Sequence, residues 1–385
     1  MNRVLIDLEA LQHNIGRVNT LMAEHGASWS LVTKVLCGHS ESLQALGALG
    51  VRSIADSRIA NLTAARELKT EFETWYLRLP HMSAIGEIVA VSDVTLNSEI
   101  ATIEALNAEA ATRDKRHGVI IMIELGDLRE GVLPGALVGF YRRVFELENI
   151  EVLGIGANLG CLSGTVPNID QFMQLILYRE LLELKFEHEL PLISAGTSVV
   201  LPLLQSKTLP KSINHFRIGE AVFLGTDLVN GGTLPGFRSD AITVEAEIVE
   251  LREKSLVPVG ELSAVTPFES LQTEDEISPG QRGQRAIVTL GQLDTEVQGL
   301  TPIAPGHVLA GATSDLTVVN VGGSPGELEV GQSIRFRPNY GATLRLMTNR
   351  YMEKVLVPPL GAFMAAHDDG SHAERVPSVL DGLLS

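Results

Sequence analysis

The stretch Leu-Val-Thr-Lys-Val-Leu-Cys-Gly at 31–38 ends an apolar run on a lysine and passes at once into a small, polar loop. Such a run reads as a buried strand, which puts Lys34 at a strand's C-terminal edge with its stem among apolar neighbours. Desolvation at that place lowers a lysine's pKa and makes it a candidate Schiff-base former. On this stretch alone, an ordinary strand-end lysine reaching to solvent competes with that reading. Working outward, the pattern recurs. Apolar runs fall at Trp29–Lys34, Val51–Asp56, Thr74–Leu79, Asp93–Asn97, Gly118–Leu125, Val152–Asn158, Leu192–Ala195 and Phe216–Leu224. Amphipathic stretches such as Ile59–Leu68, Ile100–Ala111 and Phe172–Phe186 separate them. Alternating strand-like and helical patterns predict a β/α fold. Eight units in about 200 residues predict a compact (β/α)8 TIM barrel over 1–230 rather than a doubly wound sheet. Asn97-Ser98-Glu99 reads as a helix cap, and Pro167 with Asp170 starts the helix after run six.

From about residue 235 the texture changes. Ala241–Leu251, Arg285–Leu290, Asp315–Val321 and Ser333–Arg337 are short, β-branched-rich runs set between Gly, Pro, Asp and Asn. They predict a β-rich C-terminal domain over 231–385. The first strand, Val4–Leu8, can join that domain and leave Trp29–Lys34 as the first strand of the barrel. The tail from Pro358, with Ala365-Ala366-His367-Asp368-Asp369-Gly370, has no strong period and reads as an extension or a partner-binding arm.

Bulk composition narrows the function classes. The chain has 385 residues, 45% hydrophobic and 20% charged, enough for two soluble cores. A formal charge of −17 argues against a nucleic-acid partner. It leaves room for one phosphorylated cofactor, which a few local N–H groups can hold. Two cysteines, Cys37 and Cys161, make no disulfide framework and suit a reduced, cytoplasmic protein. The N-terminal Met-Asn-Arg-Val-Leu-Ile-Asp-Leu-Glu carries acids too early for a signal peptide, and no run reaches the length of a membrane span.

In a barrel, chemistry gathers at the C-terminal ends of strands. Those positions carry Lys34, Cys37 and His39 after run one, Asp56 after run two, and Glu124, Asp127, Arg129 and Glu130 after run five. Asn158 and Cys161 follow run six, Ala-Gly-Thr-Ser at 195–198 ends run seven, and Arg217, Gly219 and Glu220 lie in run eight. The exit of run seven is the best anion site, because small residues let backbone N–H groups approach a phosphate and Thr197 and Ser198 add hydroxyls. A plain Ser/Thr helix cap is the alternative. Arg217 is a charge inside an apolar run and needs a partner, either a carboxylate or a ring nitrogen of a cofactor.

A lysine, a phosphate site and a strand-eight arginine together meet the needs of a pyridoxal-phosphate barrel. The chain resembles the fold-type III pyridoxal-phosphate enzymes, the alanine racemase superfamily, and within it the ornithine racemase branch. The likeness is carried by 31–37, by Ile-Ala-Asp-Ser-Arg-Ile-Ala-Asn-Leu at 54–62, by Leu-Arg-Leu-Pro at 77–80 and by Asn-Ser-Glu at 97–99. Val-Ile-Ile-Met-Ile-Glu-Leu-Gly-Asp-Leu-Arg-Glu-Gly at 119–131 is its most distinctive segment. It continues in Gly-Ile-Gly-Ala-Asn-Leu at 154–159, Ile-Ser-Ala-Gly-Thr-Ser at 193–198, Arg-Ile-Gly-Glu at 217–220, Val-Pro-Val-Gly-Glu at 257–261 and Gly-Ala-Thr-Ser-Asp at 311–315. The resemblance implies an amino-acid racemase using pyridoxal 5'-phosphate, with an amino acid as its small-molecule substrate and a homodimer sharing its active sites. It implies Lys34 as the cofactor-bound lysine and the base on one substrate face. Arg129 falls near the cofactor's phenolic oxygen and the substrate carboxylate, and Asn158 stacks on the pyridine ring. Thr197, Ser198, Gly219 and Glu220 hold the phosphate, with Tyr340 of the second domain close by. Arg217 contacts the pyridine nitrogen and keeps it unprotonated, which favours racemisation over transamination.

One departure stands out. Alanine racemases take the opposite-face base from a tyrosine of the partner's β domain, and Val-Pro-Val-Gly-Glu-Leu-Ser at 257–263 has none. Cys161, Cys37 and His39 are the groups at strand ends that can titrate near neutrality. Asp315 falls where the partner's domain approaches the substrate and can read a cationic side chain such as that of ornithine or lysine, although it also reads as a turn aspartate. A metal-dependent D-amino-acid lyase, an aldolase or a dehydratase, is the enzymatic alternative. The second domain has His307, His367 and His372, no cysteine and no spaced His/Cys pair, so no metal is expected. A single-barrel pyridoxal-phosphate carrier is the other alternative, and the full second domain argues against it.

Overall fold

The computed structural model describes residues 2–160, 164–261, 280–324, 326–366 and 376–383. The chain divides into two compact units, one of Leu11–Arg238 with Met364–Ser385, the other of Met1–Ala10 with Ser239–Phe363.

The larger unit holds a closed barrel of eight parallel strands in sequential order. They are β2 (Ser28–Val32), β3 (Ser53–Asp56), β4 (Glu73–Tyr76), β5 (Val94–Asn97), β6 (His117–Met122), β7 (Ile150–Gly156), β8 (Leu192–Thr197) and β9 (His215–Ile218). The ring closes where β9 pairs β2, with Trp29 opposite Phe216 and Leu31 opposite Ile218. Strands β3, β4, β5, β6 and β9 are buried at every residue, which is why they read as continuous apolar runs instead of alternating ones. Helices α2 (Ser40–Ala48), α3 (Ile59–Arg66), α4 (Ile85–Val91), α5 (Ile100–Thr112), α6 (Leu137–Val144), α7 (Ile169–Phe186), α8 (Leu201–Gln205) and α9 (Glu220–Leu224) follow the successive strands. The start of α7 is set by a capping box. Asn168 accepts from the Gln171 N–H at 3.0 Å while the Gln171 side chain accepts from the Asn168 N–H at 3.1 Å.

The smaller unit is a mostly antiparallel β domain ordered β12-β15-β10-β11-β14-β13. Its strands are β10 (Ile242–Ser255), β11 (Arg282–Val288), β12 (Leu300–Pro302), β13 (Val308–Ala312), β14 (Thr317–Asn320) and β15 (Ser333–Pro338). Strand β1 (Arg3–Asp7) joins it, antiparallel to β10 and parallel to β16 (Glu353–Val357). Burial in β15 alternates residue by residue, the mark of a sheet with one wet face. Helix α1 (Leu8–His25) leads from β1 to the barrel, and α10 (Tyr340–Thr348) and α11 (Leu360–Ala366) end this stretch of chain.

Four expectations are corrected. The domain boundary lies at 238/239, not 230/231, because the segment up to Arg238 belongs with the barrel. The tail returns to the barrel unit as well. Val376 bridges to Val51, and α12 (Val379–Leu383) places Val379 in the interior cluster with Ala55, Trp75, Val94, Leu96, Ile120, Met122, Leu153 and Leu192. Residues 367–375 of that tail lie outside the described residues. Phe216–Leu224 is not one strand; Gly219 separates β9 from α9. Asn97 does not cap α5: the N-cap position is Glu99, which makes no side-chain cap bond, and the Asn97 amide donates back to the Thr95 carbonyl at 3.1 Å and the Thr95 hydroxyl at 2.8 Å.

Candidate active site

Lys34 opens a 3-10 turn, Lys34–Leu36, directly after β2. Buried Val35 and Leu36 pin that turn. Thr33 fixes the strand end: its N–H donates to the Ala55 carbonyl at 2.9 Å and its hydroxyl to Asp56 Oδ2 at 3.0 Å. Asp56 also accepts from the N–H groups of Ser57 and Arg58 and from the Asn61 amide. Burial pushes its carboxyl above the usual range, against the pull of those bonds. Cys37 turns its thiol back on the carbonyls of Lys34 and Val35. His39 pairs Nδ1 with the Ser42 hydroxyl at 2.8 Å.

Across the barrel mouth a hydrogen-bonded array joins residues on or just after four successive strands, β6 to β9. Arg217, almost fully buried on β9, donates through Nη1 to the Ser194 carbonyl (2.6 Å) and hydroxyl (2.5 Å). Its Nη2 donates to the Ala157 carbonyl (3.0 Å) and to Asn158 Oδ1 (2.7 Å). None of these four acceptors is a carboxylate. The Asn158 amide in turn donates to Glu130 Oε1. Glu130 receives the Arg129 guanidinium in bidentate fashion, Nε at 3.0 Å and Nη2 at 2.9 Å. Sequence reading placed Glu130 at a strand end and gave it no role; its adjacency to an arginine was the available signal.

Thr197 ends β8 and precedes the turn Ser198–Val200, and no side chain caps that turn. Gly219 precedes α9 and, having no side chain, offers no cap of its own. The two starts touch where the Ala221 N–H donates to Ser198 Oγ at 3.3 Å. Gly219 is obligatory, since a Cβ there would lie 2.8 Å from the Val32 carbonyl oxygen, two residues before Lys34. Burial raises the Glu220 carboxyl, while its bond to Thr226 works against that.

Two predicted residues belong to the other unit. Tyr340 is the first residue of α10, behind Asn339, whose side chain accepts from the Ala342 N–H at 2.9 Å. Asp315 is exposed in the turn between β13 and β14 and accepts from the Ser314 hydroxyl at 2.7 Å. Cys161 lies outside the described residues.

Residues 6–227 match the family described as alanine racemase, N-terminal domain. The chain belongs to that family. It is 36% identical over 356 residues to an ornithine racemase from Acetoanaerobium sticklandii, covering 92% of this chain and 99% of that protein. It is 31% identical over 358 residues to a lysine racemase from Thermotoga maritima, with 93% and 99% covered. Among solved structures, the alanine racemase of Bartonella henselae with covalently bound pyridoxal phosphate superposes with a TM-score of 0.65 at 15% identity, covering 92% of this chain and 99% of that one. At that identity the match speaks for the shared fold of barrel and β domain. Among the described residues of this alanine racemase family member, no helix is long and apolar enough to cross a membrane.

Proposed function

We propose that the chain is a pyridoxal-phosphate-dependent racemase that interconverts the L and D enantiomers of a basic amino acid by moving its α-proton. The observation that carries this reading is the array at the barrel mouth. A buried guanidinium held by four neutral acceptors connects through Asn158 and Glu130 to Arg129, on the same barrel whose first strand ends at Lys34. Two relatives named for ornithine and lysine supply the substrate class.

The residues present fit the cofactor. The starts at Thr197–Ser198 and Gly219–Glu220, whose N-cap residues make no side-chain cap bond, suit a phosphate, and Arg217 suits a ring nitrogen that stays unprotonated. When bound, the cofactor supplies a carbonyl that condenses with amino groups and a conjugated ring that delocalises charge from the α-carbon. Lys34 would hold it through its amine and, once that amine is released by the substrate's, would take up the α-proton at Nζ on one face of the substrate. Arg217 stays a donor, since a guanidinium does not deprotonate, and this weakens the ring's pull enough to limit side reactions. Arg129, oriented by Glu130, binds the substrate carboxylate beside the phenolic oxygen. Asn158 is the residue we assign to the ring and Tyr340 one we assign to the phosphate when the cofactor is bound. Asp315, contributed by a partner in a homodimer with shared sites, reads the cationic side chain. Cys161 is the group we assign to the opposite face, because the family's tyrosine is missing from 257–263. The two-cysteine composition suits a cytoplasmic enzyme.

The test is solvent-deuterium incorporation into each enantiomer of ornithine and lysine in heavy water, with optical rotation and carbonyl release followed in parallel. Parent enzyme is expected to label and racemise without releasing a carbonyl compound. Racemisation that persists in Lys34→Ala, or carbonyl release in place of racemisation, overturns the reading.

A further inference from the structure

Arg217 is one end of a line of buried polar side chains that runs down the barrel interior to the C-terminal segment. Ser194 Oγ, which accepts from Arg217, lies 2.7 Å from His215 Nδ1. His215 Nε2 lies 3.2 Å from Ser30 Oγ, and Ser30 Oγ lies 2.8 Å from Ser53 Oγ. Ser53 donates to Glu73 Oε1 at 2.9 Å. Ser194, His215, Ser30 and Ser53 have no measurable exposure.

The proton positions in this line follow from its two ends. A carboxylate only accepts and a guanidinium only donates, while a hydroxyl has a single proton. Ser53 spends its proton on Glu73, so it accepts from Ser30. Ser30 has then spent its own and accepts from His215 Nε2–H. His215 Nδ1 is therefore bare and accepts the Ser194 proton, and the free side of Ser194 Oγ receives Arg217. Every bond points the same way, from cation to anion. The arrangement requires His215 to be neutral, and burial together with the Arg217 charge holds it well below the usual histidine range. Trp75 stacks on the imidazole at 4.5 Å and 18° and donates its own Nε1–H to Glu73 at 2.5 Å, locking ring and carboxylate together.

The far end is built by the tail. Glu73 Oε2 accepts from the Ser378 hydroxyl at 2.5 Å and from the Leu380 N–H at 2.8 Å. Val379 between them is buried in the barrel cluster.

We propose that Ser194, His215, Ser30, Ser53 and Glu73 are positioning residues for Arg217, and that the C-terminal segment Ser378–Leu380 sets the line by fixing Glu73. Aligned hydrogen bonds polarise one another, so an anchored anion at one end strengthens the grip of Ser194 on the guanidinium at the other. The functional half of the proposal rests on the place given to Arg217 above.

The experiment is nitrogen-15 NMR of histidine-labelled protein without cofactor, together with racemisation kinetics of the reconstituted enzyme. Parent His215 is expected as the neutral Nε2–H tautomer. Glu73→Gln, whose amide can donate to Ser53, and Ser53→Ala, which cuts the line, are expected to mix the tautomers. Both should lower kcat about tenfold with KM changed by less than about twofold. Ser378→Ala is expected to move the same way, and Ser378→Thr, which keeps the hydroxyl, to match the parent. An Nδ1–H or charged His215 in the parent, or unchanged His215 signals in Glu73→Gln and Ser53→Ala, overturns the line. Altered tautomers with parental kcat overturn its link to Arg217, and parental behaviour of Ser378→Ala removes the tail from it. The tautomer is read without cofactor, so racemisation surviving in Lys34→Ala would sink the enzymatic reading and leave the NMR result standing.

Discussion

Gly219→Ala is the most direct test of the packing that holds Lys34. The added Cβ would sit 2.8 Å from the Val32 carbonyl oxygen and 2.9 Å from Val32 Cβ. These are not ends of flexible side chains; they belong to β2, which pairs with β9 through this register. Restoring a 3.4 Å contact separates the strand ends by about 0.6 Å, and overpacking of this kind costs about 1–3 kcal/mol. At roughly 2–4 °C per kcal/mol, the melting temperature should fall by about 2–12 °C. Val32 is two residues from Lys34, so the same displacement moves the amine proposed to react. A misplacement near 1 Å can cost about a hundredfold in rate, so a fall in kcat of roughly tenfold or more is expected. Gly16→Ala is the matched control. It lies within α1 with nothing inside 4 Å of its built Cβ, and should stabilise by about 0.5–1 kcal/mol with parental kcat. Calorimetry and deuterium exchange on both proteins decide the matter. A Gly219→Ala enzyme with parental melting temperature and kcat would refute the claim that this contact positions the lysine.

Three further outcomes are expected. Asp315→Asn should raise KM for ornithine and lysine about fivefold, an exposed charge being worth about 1 kcal/mol, while leaving any activity on alanine unchanged in a side-by-side assay. Tyr141→Phe should be neutral or stabilising by up to about 1 kcal/mol in urea unfolding, because the Tyr141 hydroxyl is buried with no hydrogen-bond partner among the described residues. His117 is pushed down to about 3 by burial and by the Lys115 charge, so the unfolded chain binds its proton first as pH falls. Stability is therefore intact above pH 6.5 and declines below it, by about 2 kcal/mol at pH 5 from this group alone. In His117→Asn, urea midpoints measured from pH 8 to 5 should fall less steeply than in the parent.

The barrel was legible because parallel strands buried on both faces leave long apolar runs, and β3 to β6 show this at every residue. Strands β12 and β13 were not, being three and five residues long, with β13 built from Val308-Leu309-Ala310-Gly311-Ala312 at partial burial. A stretch so short and small has no period to read. Lys34, Arg129, Asn158 and Arg217 were legible as chemistry-bearing residues at strand ends. Glu130 was seen without a role, since only the fold shows its carboxylate between Arg129 and Asn158. Ser30, Ser53, Ser194 and His215 were invisible for a different reason. Serines in strands look like ordinary strand residues, and register alone brings Ser30 beside Arg217, 187 positions away in the chain. One signal was available: His215 and Arg217 are two apart on one strand and share a face.

The four acceptors of the Arg217 Nη1 and Nη2 groups are neutral, which bears on how an arginine keeps its field here. A carboxylate bonded directly to the guanidinium would neutralise it at close range and, inside a barrel, would bring a second desolvated charge. Carbonyl and hydroxyl oxygens take the four Nη N–H groups without cancelling its field. Of the carboxylates linked to Arg217, Glu130 is reached through Asn158 and is itself paired with Arg129, while Glu73 stands several hydrogen bonds away, where four donors accommodate it. Coulomb attraction falls with that separation, so the positive potential at the barrel mouth survives. Such a potential disfavours a proton on any ring nitrogen placed against Arg217, and a directly paired arginine would give that up. A buried chain of neutral hydroxyls and one neutral imidazole lies between Arg217 and Glu73, the arrangement proposed above to position the guanidinium.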